Sequence, residues 1–292
     1  MKVPPQFLLI LATILWGGNF VIGRAVAGAI PPVTFATIRW CVALLIFFPI
    51  AYPLLKKEWP KIKAHFGIVV ILALTGVAGF TALVYKGLYF TTSINASLMN
   101  SSTPIIIYIL SFLFLKERLN KFQVIGTAIS LIGVLFIICN GSLDTLLHFQ
   151  FNKGDLLVIL AVVCWAFYSL LIRIYAGRLP GYSTFFVSIF IGIIILLPFM
   201  FAELATTSIV IDWSWQTIGA IIYVGIFASI VAFLSWNVGV VQFGPNRASI
   251  YLNFIPLFAA IFAVIFLGEQ ILATQVIGGI AVVIGVLVAN KK

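Results

Sequence analysis

The sequence contains long apolar runs without a charged residue, among them FGIVVILALTGVAGFTALVY at 66–85 and IGGIAVVIGVLVA at 277–289. Such runs approach the roughly 20 residues that a helix needs to cross a bilayer, and they lack the polar–apolar alternation of a barrel strand. Only 8% of all residues are charged, against about a quarter in water-soluble domains. The pattern predicts an all-α integral membrane protein, with no room for a soluble catalytic or nucleic-acid-binding domain.

Charged residues, prolines and glycines divide the chain into ten predicted transmembrane helices with short connections. The predicted spans are 5–28, 32–55, 64–86, 94–115, 121–140, 155–176, 182–203, 215–241, 247–268 and 271–290. Most lysines and arginines fall in connections that would share one side of the membrane with both chain ends, and positively charged connections usually stay in the cytoplasm. We therefore expect a multi-pass protein of the plasma membrane (the inner membrane in a bacterium) with cytoplasmic N and C termini.

One stretch of the chain occurs nearly twice. QVIGTAISLIGVL at 123–135 returns as QVIGGIAVVIGVL at 275–287. The match extends without a gap over residues 95–135 and 247–287, where it also aligns a serine, a proline and a glutamate. A weaker match pairs Trp16 with Trp165, 149 positions later. Shared hydrophobicity alone would not align these polar and small residues, so the chain is predicted to contain an internal repeat.

The repeat predicts two halves of opposite orientation. Each half holds five predicted spans, and because five is odd the second half must cross the membrane in the opposite sense. We place the first repeat at 1–141, an external linker at 142–153 and the second repeat at 154–292. Inverted repeats recur in secondary transporters, where they enclose a central cavity and exchange conformations. Some channels are also built this way, so the repeat by itself leaves a channel open.

Three motifs resemble a known family. They are WGGNF at 16–20, A-S-x(6)-P at 96–104 and 248–256, and the endings LKE at 115–117 and LGE at 267–269. They are similar to those of the EamA family, in the drug/metabolite transporter superfamily, and the resemblance covers nearly the whole chain. It implies a basket of ten helices around a cavity lined mainly by spans 1, 3, 4, 6, 8 and 9. It also implies transport of small metabolites, amino acids or drugs, often outward, without specifying the substrate.

Polar side chains inside spans 4 and 9 are candidates for binding the substrate. An unsatisfied hydroxyl or amide inside a membrane costs several kcal/mol, so these groups either bond between packed helices or line a wet cavity. The candidates are Ser97, Asn100, Ser101, Ser249 and Asn253. Pro104 and Pro256 occupy matching positions and are interpreted as hinges or as plain helix kinks, and Glu117 and Glu269 at the span ends as candidate gates.

A second group of candidates lies within spans 1, 3, 6 and 8. Aromatic faces stack on planar solutes and attract cations, although such residues also serve as interface anchors or packing. The group consists of Trp16, Asn19, Tyr85, Trp165, Tyr168, Ser169, Trp236 and Asn237. Arg39, like other basic residues near span ends, is interpreted as reaching out to the membrane surface.

Residues that are missing from the spans also restrict the function. No carboxylate falls in the middle of a predicted span, so proton antiport through a buried carboxylate is disfavoured. His65 lies at the edge of a span, His148 lies in a loop and no metal-ligand spacing occurs, so neither catalytic residues nor a metal nor a cofactor is expected. An enzyme is therefore disfavoured.

The favoured function is a secondary transporter that works by alternating access and exports amino acids, aromatic ones especially, or related small solutes. The alternatives are an exporter of drugs, organic cations or another metabolite, a channel, and a non-transporting membrane partner. The expected partners are a small-molecule substrate and membrane lipid, with no nucleic acid. Because one chain holds both repeats, a monomer can be functionally complete.

Overall fold

The structure, a computed structural model, describes residues 4–26, 28–90, 99–139, 141–142, 144, 147–148, 152–207, 210–267 and 272–291. Within these residues the regular structure is helical, apart from an isolated bridge between Ala176 and Leu179. Seven helices of the described chain are long and apolar enough to cross a membrane, and three shorter apolar helices accompany them. The all-helical prediction is confirmed, and the architecture is that of a multi-pass membrane protein.

Most helices are continuous, and four contain or end in a turn of another helical type. The helices are α1 (Pro5–Ala25), α2 (Pro32–Ala64), α3 (Phe66–Leu72 and Phe80–Phe90), α4 (Thr103–Leu110), α5 (Lys121–Ile138), α6 (Lys153–Ile174), α7 (Gly181–Thr206), α8 (Trp215–Tyr223 and Ala232–Phe243), α9 (Pro245–Ile250 and Phe254–Leu267) and α10 (Ala273–Ala289). The π-helical turns Ala73–Gly79 in α3 and Val224–Val231 in α8 join the two parts of each helix. A third π-helical turn, Ser111–Leu115, ends α4, and the 3₁₀ turn Tyr251–Asn253 joins the parts of α9.

Helix α2 is longer than the sequence analysis predicted. We expected it to end at residue 55, with the lysines after it in a connection, but it continues to Ala64 and carries them on its last turns. It contains three prolines, of which Pro49 and Pro53 lie within the predicted span and Pro60 lies beyond its predicted end. A membrane helix tolerates proline because its neighbours can satisfy the freed backbone groups, and lysines near a helix C-terminus are favoured by the helix dipole.

Contacts between connections identify the two ends of the helix bundle. At one end the Asn120 side-chain amide donates to the Lys291 carbonyl at 3.5 Å, which places the α4–α5 connection beside the C-terminus. Helix α1 also begins at this end, which we call the terminus end. At the other end, the opposite end, the Asp212 N–H before α8 donates to the Ala29 carbonyl after α1 at 2.9 Å. Functional side chains can therefore be placed by their distance from either end.

Helices α5 and α10 approach each other closely through four glycines. A Cβ atom added at Gly126 would lie 2.4 Å from the Gly285 carbonyl oxygen, and one added at Gly133 would lie 2.6 Å from that of Gly278. In the sequence repeat Gly126 matches Gly278 and Gly133 matches Gly285. Each contact is therefore repeated with the two halves exchanged, as across a two-fold axis. The two helices run antiparallel, which is the arrangement that an inverted repeat requires.

Helices α2 and α7 form a second reciprocal contact. At the start of α2, the free N–H groups of Val33 and Thr34 donate to the Glu203 carboxylate on the last turns of α7, at 3.1 and 2.7 Å. At the start of α7, the Ser183 hydroxyl donates to the Glu58 carboxylate on α2. Thr34 and Ser183 are 149 positions apart, the spacing that also relates Trp16 to Trp165. Carboxylates are favoured beside helix N-termini, so each helix stabilises the start of the other.

Candidate functional site

Aromatic side chains from six helices fill the interior of the bundle between its two ends. Neighbouring ring centroids lie between 4.9 and 6.3 Å apart, mostly in edge-to-face or tilted arrangements. This aromatic cluster consists of Trp16, Trp40, Phe80, Trp165, Tyr168, Phe185, Phe233 and Trp236. Pairs spaced three residues apart share one face of α6 and of α8, which points both pairs to the same space. The cluster lies between the terminus end and the opposite end.

Two tryptophans at matched positions of the repeat meet inside the aromatic cluster. The rings of Trp16 on α1 and Trp165 on α6 lie 5.2 Å apart and nearly perpendicular. The Trp16 indole N–H donates to the Ala228 carbonyl, in the π-helical turn of α8, at 3.1 Å. Both side chains are more than nine-tenths buried. Contact between equivalent residues places this pair where the two halves of the bundle meet.

A polar pair lies on the terminus-end side of the cluster. The Tyr168 hydroxyl bonds to the Asn237 side-chain amide, at 2.9 to 3.0 Å, and thereby joins α6 to α8. Beside it, the Trp236 indole N–H donates to the Ser169 hydroxyl at 3.1 Å. A cavity of about 290 Å³ opens between α3, α6, α7 and α8, and Asn237 forms part of its wall. The Tyr168–Asn237 pair therefore lies between this cavity and the aromatic cluster.

A second polar group lies nearer the opposite end. The Tyr85 hydroxyl on α3 faces the Asn19 side-chain oxygen on α1 at 3.5 Å, and it accepts a hydrogen bond from Nη1 of Arg39 at 3.0 Å. The Arg39 guanidinium carbon lies 5.0 Å from the Trp40 ring centroid, which links this group to the aromatic cluster. The sequence analysis had Arg39 reaching out to the membrane surface, and this was wrong, because the side chain is only 3% exposed. The position of Arg39 in the second turn of α2, away from the helix start, was the sequence feature that could have indicated a buried side chain.

The candidates from spans 4 and 9 lie in packing between helices. The Asn253 amide on α9 donates to the Ser130 hydroxyl on α5 at 3.0 Å, and the Ser249 hydroxyl donates to the Asn246 carbonyl at 2.9 Å. Both side chains are fully buried. Their role in substrate binding stays a prediction.

Of the remaining span 4 candidates, Asn100 and Ser101 lie just before α4. The Asn100 carbonyl accepts a hydrogen bond from the Thr103 hydroxyl. Ser101 is buried. Ser97 lies outside the described residues. Substrate binding by these residues also stays a prediction.

The two prolines of the repeat follow breaks in their helices. Pro104 lies in the first turn of α4, after a turn at Ser102, and Pro256 follows the 3₁₀ turn of α9. Similar irregularities at matching positions are what a pair of hinges would need. The Glu117 carboxylate accepts from the Asn246 amide at 3.0 Å, which joins the α4–α5 connection to the start of α9. Glu269 lies outside the described residues.

Charged side chains contribute little to the described interior. Among the described residues, one ion pair lies within 4.0 Å, between His148 and Asp144 in the exposed α5–α6 connection. In the same part of the chain no three His, Cys, Asp or Glu side chains come close enough to hold a metal ion. The chemistry available to a solute in the interior is therefore that of indoles, hydroxyls, amides and the Arg39 guanidinium.

Known proteins share the sequence pattern and the fold of this chain. The model of the EamA-like transporter family matches residues 4–139 and 152–291. The uncharacterized transporter YyaM of Bacillus subtilis (strain 168) is 30% identical over 298 residues, covering 99% of this chain and 95% of that protein. A probable terminal-alkyne amino-acid exporter of Streptantibioticus cattleyicolor is 23% identical, covering 97% and 92%. A solved crystal structure superposes with a TM-score of 0.77 over 98% of this chain at 18% identity, a likeness of fold.

Proposed function

Because the chain belongs to the EamA-like transporter family, we propose that it is a secondary transporter that moves small metabolites across the plasma membrane by alternating access. In this proposal ten transmembrane helices form two inverted repeats, at 1–141 and 154–292, joined by an external linker at 142–153. Both termini lie in the cytoplasm, and the basic residues of the terminus end face it. The protein works as a monomer with no partner beyond its substrate and lipid.

The reciprocal helix contacts support the inverted repeat. The α5–α10 crossing pairs Gly126 with Gly285 and Gly133 with Gly278, and these contacts exchange when the two halves are exchanged. An antiparallel contact of this kind needs a two-fold axis that runs across the helices, in the plane of the membrane. Two such halves can adopt each other's conformation, and the exchange would open the interior first to one side and then to the other.

The observation that carries the proposal is the aromatic cluster with a polar group on either side. Asn19 lies toward the opposite end and Tyr168 toward the terminus end, and the two occupy matched positions 149 residues apart in the repeat. Each joins its own helix to another helix of the same half, through Tyr85 or Asn237. Equivalent bonds at the two ends are suited to serve as two gates that open in turn.

The lining of the interior favours a small solute with a planar or apolar part. Indole and phenol rings offer stacking surfaces, while the amides and hydroxyls at both ends offer hydrogen bonds. Amino acids, the aromatic ones especially, combine these features. The Streptantibioticus cattleyicolor relative is named as a probable terminal-alkyne amino-acid exporter, which agrees with an amino acid as the solute. We therefore propose that the protein exports amino acids or closely related solutes.

The proposal predicts a solute-dependent gain in stability and saturable exchange. Purified protein would be heated with each of the twenty amino acids, several amines, nucleosides and sugars. A solute at about 100 times its dissociation constant should add roughly 2.7 kcal/mol to the free energy of unfolding. The same solute should then show saturable counterflow in proteoliposomes.

The outcomes separate the candidate functions. A shift confined to amino acids, together with counterflow, supports the proposal, and a shift confined to organic cations or sugars contradicts the proposed substrate class. Flux that does not saturate, shows no counterflow and carries an electrical conductance would instead identify a channel.

A further inference from the structure

Arg39 is a buried charge in the half of the bundle nearer the opposite end. Its side chain is 3% exposed, seven residues into a helix of a membrane protein. A guanidinium stays protonated at any physiological pH, so burial cannot neutralise it. An ionisable group at this depth is costly unless it is paired, and it therefore indicates a functional site.

The surroundings of Arg39 do not supply a negative charge. Nη1 donates to the neutral Tyr85 hydroxyl at 3.0 Å, and the Trp40 and Tyr85 rings lie 5.0 and 5.5 Å from the guanidinium carbon. No carboxylate of the described residues lies within 4.0 Å of the guanidinium. The carboxylate of Glu203, at the start of α2, already accepts from two backbone N–H groups there. The Arg39 Nε–H, also buried, has no acceptor in the described part of the chain.

Open space lies next to the Arg39–Tyr85 pair. Asn19 and Gly23 are one turn apart on the same face of α1, and both lie opposite Tyr85. Among the described residues, a Cβ atom added at Gly23 would have a single neighbour within 4 Å, the Tyr85 ring carbon Cε1 at 3.8 Å. Asn19 and Tyr85 are themselves partly exposed. A solute between α1 and α3 would thus meet the Tyr85 side chain, and behind it the guanidinium.

We propose that Arg39 binds the carboxylate of the transported solute, with Tyr85 as the group that it displaces. The carboxylate oxygens accept from Nε–H and from a terminal guanidinium nitrogen, the arrangement that arginine favours with carboxylates. The displaced Tyr85 hydroxyl and the Asn19 oxygen then remain for the polar groups of the solute, and its apolar part lies toward Trp40 and the aromatic cluster. The inference rests on the proposed transport function and deepens it, because it restricts the substrates to small carboxylate-bearing solutes. Organic cations without a carboxylate are excluded, since Arg39 repels them.

The test compares amino acids with the amines that differ from them only by loss of the carboxylate. Binding to the purified full-length protein is measured by titration with L-phenylalanine and 2-phenylethylamine, and with L-leucine and isopentylamine. In the wild-type protein we expect binding of an amino acid and at least about 100-fold weaker binding of its amine. In Arg39→Gln the affinity for the acid should fall on the order of 100-fold, with partial recovery in Arg39→Lys, which keeps the charge.

Two further measurements separate binding from a structural role. Without solute, Arg39→Gln should melt at or above the wild-type temperature, because it removes an unpaired buried charge. Arg173→Gln is the matched control: this arginine on α6 already donates to the Val241 carbonyl, so its loss should leave acid affinity within about threefold.

Three results would overturn the assignment. The first is equal binding of an amine and its acid by the wild-type protein. The second is unchanged acid affinity in Arg39→Gln. The third is an equal loss of acid affinity in Arg39→Gln and Arg173→Gln. The binding assay does not depend on transport, so it judges the Arg39 site separately. Absence of counterflow for every solute in wild-type proteoliposomes would instead reject the proposed function, and counterflow that persists unchanged in Arg39→Gln would reject only the carboxylate site.

Discussion

Replacement of Phe233 with alanine is expected to lower the free energy of unfolding by about 3–5 kcal/mol and to let small solutes leak through the bundle. Phe233 is 2% exposed and lies at the centre of the aromatic cluster. Its ring lies 5.1 to 6.0 Å from those of Trp16, Trp40, Trp165, Tyr168 and Phe185. Without this ring, the five neighbours lose contacts on one side and a void opens between the two ends. Thermal unfolding in detergent and passive efflux from proteoliposomes measure the two effects.

Phe199 provides the matched control for this substitution. It lies on α7, is 61% exposed and would face lipid in the membrane. Phe199→Ala should change the free energy of unfolding by no more than about 0.5 kcal/mol and leave efflux unchanged. If Phe233→Ala behaves like Phe199→Ala, the aromatic cluster is not the barrier between the two ends.

Trp16→Ala and Trp165→Ala are each expected to slow counterflow at least about tenfold, equivalent to ~1.4 kcal/mol. The two rings meet 5.2 Å apart at matched positions of the repeat, so each variant removes the same contact from a different half. Because the two residues interact directly, the rate of counterflow in the double variant should fall by much less than the product of the two single fold-reductions. Initial rates of counterflow, corrected for the amount of protein inserted, give the comparison.

Trp215 tests whether loss of any tryptophan would have this effect. It begins α8, is 85% exposed and belongs to the same residue type. Trp215→Ala should keep the counterflow rate within about twofold of the wild-type rate. A large loss for only one of Trp16 and Trp165 would contradict their equivalent roles in the two halves.

The apolar helices could be predicted from the sequence because backbone groups inside a membrane must bond within their own helix. The prediction failed at the end of α2, where Lys56 and the lysines after it were interpreted as a connection. In the structure the helix continues through Pro60 and these lysines to Ala64, because a proline removes only one backbone hydrogen bond and lysines are favoured near a helix C-terminus. The internal repeat was visible because its glycines and its proline meet packing requirements that other apolar residues cannot meet.

The candidate site was only partly predictable. Trp165, Tyr168 and Trp236 were identified as aromatic or polar residues inside spans, and they lie in the aromatic cluster. Phe233 was missed because the chain has 27 phenylalanines, and lipid-facing and interior phenylalanines look alike when both faces of a helix are apolar. Arg39 was misplaced because sequence gives its distance from a helix end but not the direction of its side chain.

The accessibility of single cysteines at the two proposed gates tests alternating access most directly. Asn19→Cys and Asn237→Cys would be made separately after Cys41, Cys139 and Cys164 are replaced with serine. Each is labelled in proteoliposomes with a membrane-impermeant maleimide, with and without the solute that most stabilises the protein. We predict that the solute raises labelling at one position and lowers it at the other, with Asn237→Cys reached from the side of the termini. High labelling at both positions, each from its own side and unaffected by solute, would contradict alternating access and indicate a continuous pore.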